Sequence, residues 1–442
     1  MKKSGAFKRI FAGVALTCAV GLAALFGGCS SSGRDGVNGK DLNIYDLYEA
    51  AKVESGNPDL TMDEFLKQYL SYSPADLETI TSLKACINKS LMASVSVISR
   101  IKKRTTNGWV VSRSAGSGII IDIDRENGDM IVLTNCHVVY SPDEDVIGDG
   151  YSDDISLWFY GSECGNYKVN NKNAIAAELI AASITYDAAL LKVTGSEKVK
   201  ASKAEKMNWC EREENYIGET VYAIGNANGE TMSATVGYIT KDLEQITVNA
   251  GTEEKPDNRS HPAVRTSAPI NPGNSGGGLF NADGELVGLV SASSKKYSDR
   301  GYAITAASTK RIVNKMLSAY SGENTRGVSI LNHGIEFTVT DSYSTGLNAQ
   351  GLAEIREEVT VSDVEFNSGA AGKLKIGDVI KRIKVIRNNV VVDEVEVVRE
   401  HNIADIMLSV MPNDRVEFTV KGKYGESAVQ VTFTKNEFKT AD

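Results

Sequence analysis

From about Ser94 onward the apolar residues fall in short runs: VSVISRI, GIIIDID, MIVLTN, ISLWFY, AALLKV, TVYAIG, ELVGLVSA and YAITAA. Clusters of Gly, Asn, Asp and Ser separate them, and no helical periodicity lies between consecutive runs. Many short strands divided by turn signals predict a sandwich or barrel rather than strand–helix–strand units. The pattern differs on either side. Residues 42 to about 93 read as helical, with capping signatures at Thr61/Glu64 and Ser73-Pro74/Asp76. Leu77, Ile80, Leu83, Cys86 and Ile87 then recur near the helical period. Ser308 to Tyr320 predicts one more helix, with Ile312, Val313, Met316, Leu317 and Tyr320 on one side. Beyond Ser321 come further strand-like runs, a short helix at about 402–410 and two closing strands, VEFTVK and AVQVTF.

The N-terminus follows another logic. Lys2, Lys3, Lys8 and Arg9 precede an apolar run from Ile10 to Phe26, and Gly27-Gly28 lead into Cys29. Basic region, apolar region and small-residue cleavage site together describe an export signal over 1–28. An uncleaved anchor is the alternative, since the run is at the short end of what spans a bilayer. Residues 29–41, beginning Cys29-Ser-Ser-Ser-Gly, are rich in Ser, Gly, Asp and Asn and read as a tether. Either way the bulk of the chain is expected outside the cytoplasm. There Cys86, Cys136, Cys164 and Cys210 permit either two disulfides or buried thiols.

Composition narrows the classes. A chain of 442 residues with 42% hydrophobic and 24% charged residues is ordinary folded protein, long enough for about three domains. A net charge of −9, with no basic face visible, argues against a nucleic-acid partner. No phosphate loop or metal knuckle is present, so neither an organic cofactor nor a metal is expected. The acidic stretches Tyr140–Asp154 and Glu205–Glu214 read first as solvated faces.

Three places can hold chemistry. Histidine is scarce. His261 lies in charged, Pro-containing text that reads as a solvated loop, and His333 and His401 have no candidate nucleophile beside them. His137 differs because it ends the run Ile131-Val-Leu-Thr-Asn-Cys-His137. Gly273-Asn-Ser275-Gly-Gly-Gly278 sets a serine among four glycines, which let consecutive N–H groups turn into one concavity and meet a developing oxyanion. Asp187 opens the apolar run Asp187-Ala-Ala-Leu-Leu-Lys-Val, where a carboxylate is costly unless paired, and a histidine Nδ1–H is a fitting partner. Gly273-x-Ser275-x-Gly277 also matches the nucleophile elbow of α/β-hydrolases. That motif needs a helix after the serine, whereas Leu279 to Gly288 reads as a hairpin.

In combination and order, Thr134-Asn-Cys-His137-Val-Val, Asp187-Ala-Ala-Leu-Leu-Lys-Val and Asn271-Pro-Gly-Asn-Ser275-Gly-Gly resemble the HtrA (Deg) family of trypsin-like serine proteases. Ser114-Ala-Gly-Ser-Gly118 and Ala223-Ile-Gly-Asn226 agree with it. The resemblance covers roughly 90–320 and departs at Gly278, usually Pro, and at Cys136, usually a small or polar residue. It implies a mainly β, chymotrypsin-like double β-barrel over 94–320, after an N-terminal helical region at 42–93. It further implies that Ser275 is the nucleophile, His137 the base and Asp187 its orienting acid, with the N–H groups of Gly273 and Ser275 as oxyanion hole. The specificity pocket would be walled by Pro269 and Ile270 before the nucleophile and by Val290, Ser291 and Ala292 after it. With no carboxylate there, small or medium aliphatic P1 side chains would be preferred.

The last stretch, 321–442, resembles one PDZ domain through Asn367-Ser-Gly-Ala-Ala-Gly-Lys-Leu-Lys-Ile-Gly-Asp378-Val-Ile. That implies a bound peptide strand, with Arg326-Gly-Val or Gly351-Leu-Ala as candidate carboxylate loop. The N-terminal segment resembles a bacterial lipoprotein signal, implying acylation of Cys29 and membrane attachment. The expectation is an extracytoplasmic, lipid-tethered serine endopeptidase, typically trimeric, cutting unfolded or regulatory proteins. The alternative is a catalytically restrained chaperone or peptide-binding module on the same fold.

Overall fold

The computed structural model describes residues 44–62, 64–65, 74–163, 172–249, 258–293, 300–320 and 327–440. The export signal, Cys29 and its tether, Ser73, Cys164 and Arg326 lie outside the described residues. The chain divides into two compact units, 1–84 and 85–442. In the first, α1 (Ile44–Ser55) sets Tyr48 edge-on to Phe65 at 5.6 Å, and Ala51, Leu60 and Phe65 bury together. The Thr61/Glu64 capping box forms as its sequence predicts, each backbone N–H donating to the other's side-chain oxygen at 3.0 and 3.2 Å. Helix α2 (Pro74–Met92) begins on proline, whose missing N–H costs nothing in a first turn.

Two barrels dominate the second unit. The first is closed from β1 (Ser94–Thr105), β2 (Gly108–Asp124), β3 (Asp129–Thr134), β4 (Asp154–Phe159), β5 (Ile175–Ser183) and β6 (Ala188–Val193), in the order β1-β2-β3-β6-β5-β4. Its interior is Val95, Val97, Ile120, Val132, Leu157 and Leu191, all fully buried. Between β3 and β4 lies a single helical turn, α3 (Cys136–Val139), and after β6 comes the short α4 (Glu197–Lys200).

The second barrel uses β7 (Asn208–Trp209), β8 (Thr220–Gly225), β9 (Ser233–Asn249), β10 (Asn258–Thr266), β11 (Gly278–Asn281), β12 (Glu285–Ser293) and β13 (Gly301–Thr305). The sheet runs β11-β8-β9-β10-β13-β12-β7, and an added β11–β12 pairing curls it into a near-barrel that leaves β7 outside. The predicted hairpin after Ser275 is this β11–β12 pair. At Gly278 any Cβ would lie 2.3 Å from the Phe280 ring.

Helix α5 (Ala306–Ala319) follows, capped by Thr305 Oγ1, which accepts the Ser308 N–H at 3.2 Å. Ile312, Val313 and Met316 are buried as the periodicity predicts, but Leu317 is 40% exposed and leaves the apolar face. Beyond it stand β14 (Ser329–Leu331), β15 (Ile335–Leu347), β16 (Ala353–Val364), β17 (Val379–Arg387), β18 (Val390–Glu396), helix α6 (Glu400–Met407), β19 (Arg415–Gly422), β20 (Gly425–Thr432) and β21 (Phe438–Thr440). They form one antiparallel sheet, β15-β16-β17-β19-β20 with β18 on β17, and a small β14–β21 pair. Its core is Ile380, Ile383, Val385, Val416, Phe418 and Phe433, with Ile403 and Ile406 of α6. Gly351-Leu-Ala is the β15–β16 turn, closed by Gly351 N–H on Asn348 C=O at 2.9 Å.

This C-terminal sheet and helix are tied to α5 by polar groups. Arg311 donates from Nε to Asp393 at 2.8 Å and through both terminal nitrogens to Glu213 at 2.9 and 3.0 Å. Lys315 donates to the carbonyls of Val410 and Leu408 at 2.6 and 3.3 Å, and Ser308 is bonded to Asp405. Arg399 reaches Asp242 at 2.6 Å. Such pairs add little net stability once desolvation is counted, but they penalise every other docking angle. A cavity of about 330 Å³ beside α5 is lined by these charges, already engaged with one another.

The fold corrects two readings of the sequence, those of His261 and of the acidic 205–214 stretch, and resolves the alternatives left open for the described cysteines. His261 is no solvated loop residue: it lies 1% exposed within β10, opposite Ile246, because the charged and Pro-containing text belongs to a long hairpin. Pro262 is tolerated there since β10 gains its second neighbour, β13, only from Ala263. No disulfide joins Cys86, Cys136 or Cys210, so the two-bridge option is not realised. The acidic 205–214 stretch is likewise not all solvated, since Glu213 and Glu214 serve the docking surface.

Burial pushes the Glu214 carboxyl up to about 7, with Asp242 and Glu213 adding repulsion and Asn402 and Arg399 opposing. His401 Nε2 also faces it at 3.6 Å. The unfolded chain ionises first, so folding loses stability as pH rises from about 4.5 through about 7. Glu214→Gln removes that dependence. Between about pH 4 and about pH 8 the variant should gain roughly 2 kcal/mol on wild type in urea unfolding; a constant difference would contradict this account.

Candidate active site

β3 and β6 are neighbours, with Thr134 opposite Ala189, so the residues just after β3 and just before β6 meet. That pairing brings together His137, on the α3 turn, and Asp187, the last residue of the 184–187 turn. Asp187 has a φ of 46°, a left-handed backbone that aspartate tolerates better than most residues. The conformation is held from outside, Asn135 Nδ2 donating to the Asp187 carbonyl at 2.7 Å.

The carboxylate of Asp187 is fully used. His137 donates its backbone N–H to Oδ1 at 3.0 Å, and its Nδ1 lies 2.8 Å from Oδ2 and 3.0 Å from Oδ1. Ser291 Oγ, from β12 in the other barrel, donates to Oδ2 at 2.8 Å. Burial alone would raise the Asp187 carboxyl, but the His137 charge and these hydrogen bonds bring it below the ordinary carboxylate range. Burial likewise pushes His137 toward neutrality, and the Asp187 charge and hydrogen bond overcome it, raising its pKa above 6.5. The imidazole keeps 44% of its side chain exposed, against 11% for Asp187, so its free edge faces solvent.

Ser275 sits between two consecutive turns. Asn274 N–H bonds Asn271 C=O at 3.0 Å around Pro272-Gly273, and Gly277 N–H bonds Asn274 C=O at 2.9 Å around Ser275-Gly276. The third residue of each is a glycine with positive φ, 97° at Gly273 and 84° at Gly276, which marks both as type II. At Gly273 a side chain is impossible, because a Cβ would lie 2.2 Å from the Asn226 carbonyl. Asn228 N–H holds the Pro272 carbonyl at 2.7 Å. The Pro272–Gly273 peptide is trans, so its N–H points the opposite way. Among the described residues, neither Gly273 N–H nor Ser275 N–H has a protein acceptor. Two unspent donors flanking one hydroxyl can receive an oxyanion.

The hydroxyl itself donates to the Ser291 carbonyl at 3.2 Å, and no hydrogen bond joins it to His137. Catalytic hydrogen bonds of this kind are often loose or unmade before substrate binds, so this resting bond does not by itself rule out His137 as the base. Of the expected pocket residues, Ile270 lies against Gly301, where a Cβ would stand 2.4 Å from its Cγ1, and Val290 and Ser291 are buried on β12. Ala292 pairs with Tyr302 on that strand, and Pro269 is exposed at the rim. No carboxylate lies among these five positions.

Comparison with known proteins follows the same outline. Residues 116–289 match the trypsin-like peptidase domain. In sequence the chain is similar to serine proteases named HtrA and DegP-like. It is 30% identical over 319 residues to the serine protease Do-like HtrA of Bacillus subtilis strain 168, covering 71% of this chain and 61% of that one. It is 28% identical over 275 residues to a probable periplasmic serine endoprotease DegP-like of Pseudomonas fulva strain 12-X, covering 61% and 47%. The chain thus spans about half to three-fifths of the length of these relatives. Among solved structures, an HtrA-type protease AlgW with decapeptide aligns at a TM-score of 0.48 and 19% identity, over 81% of this chain and 99% of that one.

Within the protease domain, sequence reasoning assigned Ser291 to the pocket and missed its bond to Asp187. Asn135 and Asn228 were missed as well. Their contribution is through backbone groups or backbone partners, which leave no mark on residue type. For hydrolysis by this domain the imidazole must be neutral, so kcat/KM should fall as pH drops through the raised His137 pKa, with its acid limb above 6.5. Asp187→Asn should cost roughly 10⁴-fold in kcat, by favouring the wrong tautomer. A pH–rate profile of both proteins checks this, and an unchanged rate in the variant would contradict it.

Proposed function

We propose that this chain is a serine endopeptidase acting on unfolded or extended proteins outside the cytoplasm. The observation that carries the reading is the convergence of the bonded His137–Asp187–Ser291 group with Ser275 between two unspent N–H donors. In this reading Ser275 Oγ attacks the scissile carbonyl while its proton passes to His137 Nε2. The oxyanion is held by Gly273 and Ser275 N–H, and His137 returns the proton to the leaving amine. Water then repeats the sequence on the acyl-enzyme. Asp187 supports the imidazolium in both halves.

We assign the protease domain to 94–320 and a PDZ domain to 321–442. The antiparallel sheet with one helix beside it, α6, supports the second assignment, and a peptide strand added to that sheet is its expected ligand. Ile270, packed against the apolar cluster that includes Val290, supports a small or aliphatic P1 side chain. Export, acylation of Cys29 and membrane attachment rest on the N-terminal sequence, and the name of the Pseudomonas relative supports an extracytoplasmic setting. Assembly as a trimer rests on the family resemblance.

One observation favours a second reading, that of a restrained binding module: the Ser275 hydroxyl is bonded to Ser291 and not to His137. A fluorophosphonate probe separates the two. Adduct at Ser275 with casein digestion is expected, both lost in Ser275→Ala with the unfolding midpoint unchanged. Absence of any adduct, with and without added hydrophobic C-terminal peptides, would favour the binding module.

A further inference from the structure

Ser117 lies on β2 of the first barrel, opposite Ser96 on β1, and is fully buried. On its other side β3 begins pairing with β2 only at Ile119. In an extended strand a residue's N–H and C=O point to the same side, so at Ser117 both face away from β1 with no strand to receive them. Other partners take them. Its N–H donates to the Ser275 carbonyl at 2.8 Å, and its carbonyl accepts the Thr134 hydroxyl at 2.7 Å. The side chain is equally committed: Ser117 Oγ accepts the Asn226 N–H at 2.7 Å and donates to the Gly273 carbonyl at 2.7 Å.

These contacts complete a set. The four successive carbonyls from Pro272 to Ser275 are held by Asn228 N–H, Ser117 Oγ–H, Gly277 N–H and Ser117 N–H in turn. Two of the four anchors come from Ser117, in the opposite barrel. With every carbonyl held, the peptide planes of both turns are fixed, and so is the aim of the Gly273 and Ser275 N–H groups. We propose that Ser117 is a positioning residue for oxyanion stabilisation, its buried hydroxyl tying the first barrel to the turn that aims the two donors. This rests on the peptidase reading of the site.

Loss of the hydroxyl would leave the Asn226 N–H and the Gly273 carbonyl buried without their partner. The peptide after Gly273 could then rotate, and Ser275 N–H, one residue on, would lose its aim. Removing an oxyanion donor outright costs about 10²–10³ in kcat. Loosening its support should therefore cost roughly 10- to 100-fold, in kcat rather than KM.

The test uses the full chain with a peptide aldehyde ending in valinal and the matching alcohol. With the aldehyde, Ser275 Oγ bonds the carbonyl carbon, its π bond opens onto the oxygen, and the serine proton passes to His137, leaving an oxyanion that needs the hole. The alcohol forms no adduct. Ser117→Ala should weaken aldehyde binding roughly 10-fold or more and leave alcohol binding unchanged, with Ser117→Cys recovering part of the loss. Ser94→Ala removes another buried hydroxyl, bonded to the Ser90 carbonyl at 2.8 Å, and should change neither ligand's affinity. Wild-type aldehyde-to-alcohol ratio and kcat in S117A would overturn the proposal while the peptidase reading stands. Failure of both Ser117 variants to fold would overturn it too, assigning the residue to the fold alone. No aldehyde adduct in wild type would overturn the peptidase reading, and this proposal with it.

Discussion

A carboxylate buried at the junction of two barrels must be compensated or it will take up a proton. Asp187 meets that demand with three donors, two from His137 and one from Ser291. The first two come from the barrel that carries Asp187 and the third from the other, so neutralising one charge also ties the barrels together. The same bonds orient the imidazole. The left-handed turn at Asp187 follows from this constraint, since it is the conformation that aims the carboxylate while its own carbonyl rests on Asn135.

The nucleophile side obeys a different constraint, that of peptide direction. Holding a peptide's carbonyl on one side aims its N–H to the other, because the two point opposite ways across a trans bond. Asn228 does this for Gly273, and the second turn does it for Ser275 through Gly277. The glycines are consequences: Gly273 and Gly276 both have positive φ, and a Cβ on either would lie 2.2 Å from a backbone carbonyl, of Asn226 and Ser117 respectively. The resting hydroxyl on Ser291 is compatible with this arrangement, since rotating one side chain leaves the donors where they are.

The C-terminal sheet meets the barrels largely through charged groups. Arg311, Lys315 and Arg399 are each buried and engaged, and Asp405 is pushed up to about 6 by its burial. A buried, directional interface of this kind favours one docking geometry over others at little net gain in stability.

The amino-acid sequence by itself determined the mainly β architecture, a helical region between 42 and 93 with a helix start at Pro74, and the helices at 306–319 and 400–407 within a few residues; it also singled out His137 and Asp187, which the fold bonds to each other, and Ser275. These features are written in local pattern: alternation sets strands, caps set helix ends, and a serine among glycines announces a backbone that must turn. Tertiary structure alone decided the rest. Whether His261 was solvated or buried depended on how far the β9–β10 hairpin extended, and a strand's length is set by its partner. Whether Glu213 and Glu214 faced water depended on α5 and α6, remote in sequence. The second task of Ser291 and the whole contribution of Ser117 are contacts across barrels, made in part by main-chain atoms that every residue type shares. Local sequence reports the cost of a residue in isolation; only the folded arrangement decides which distant group offsets it.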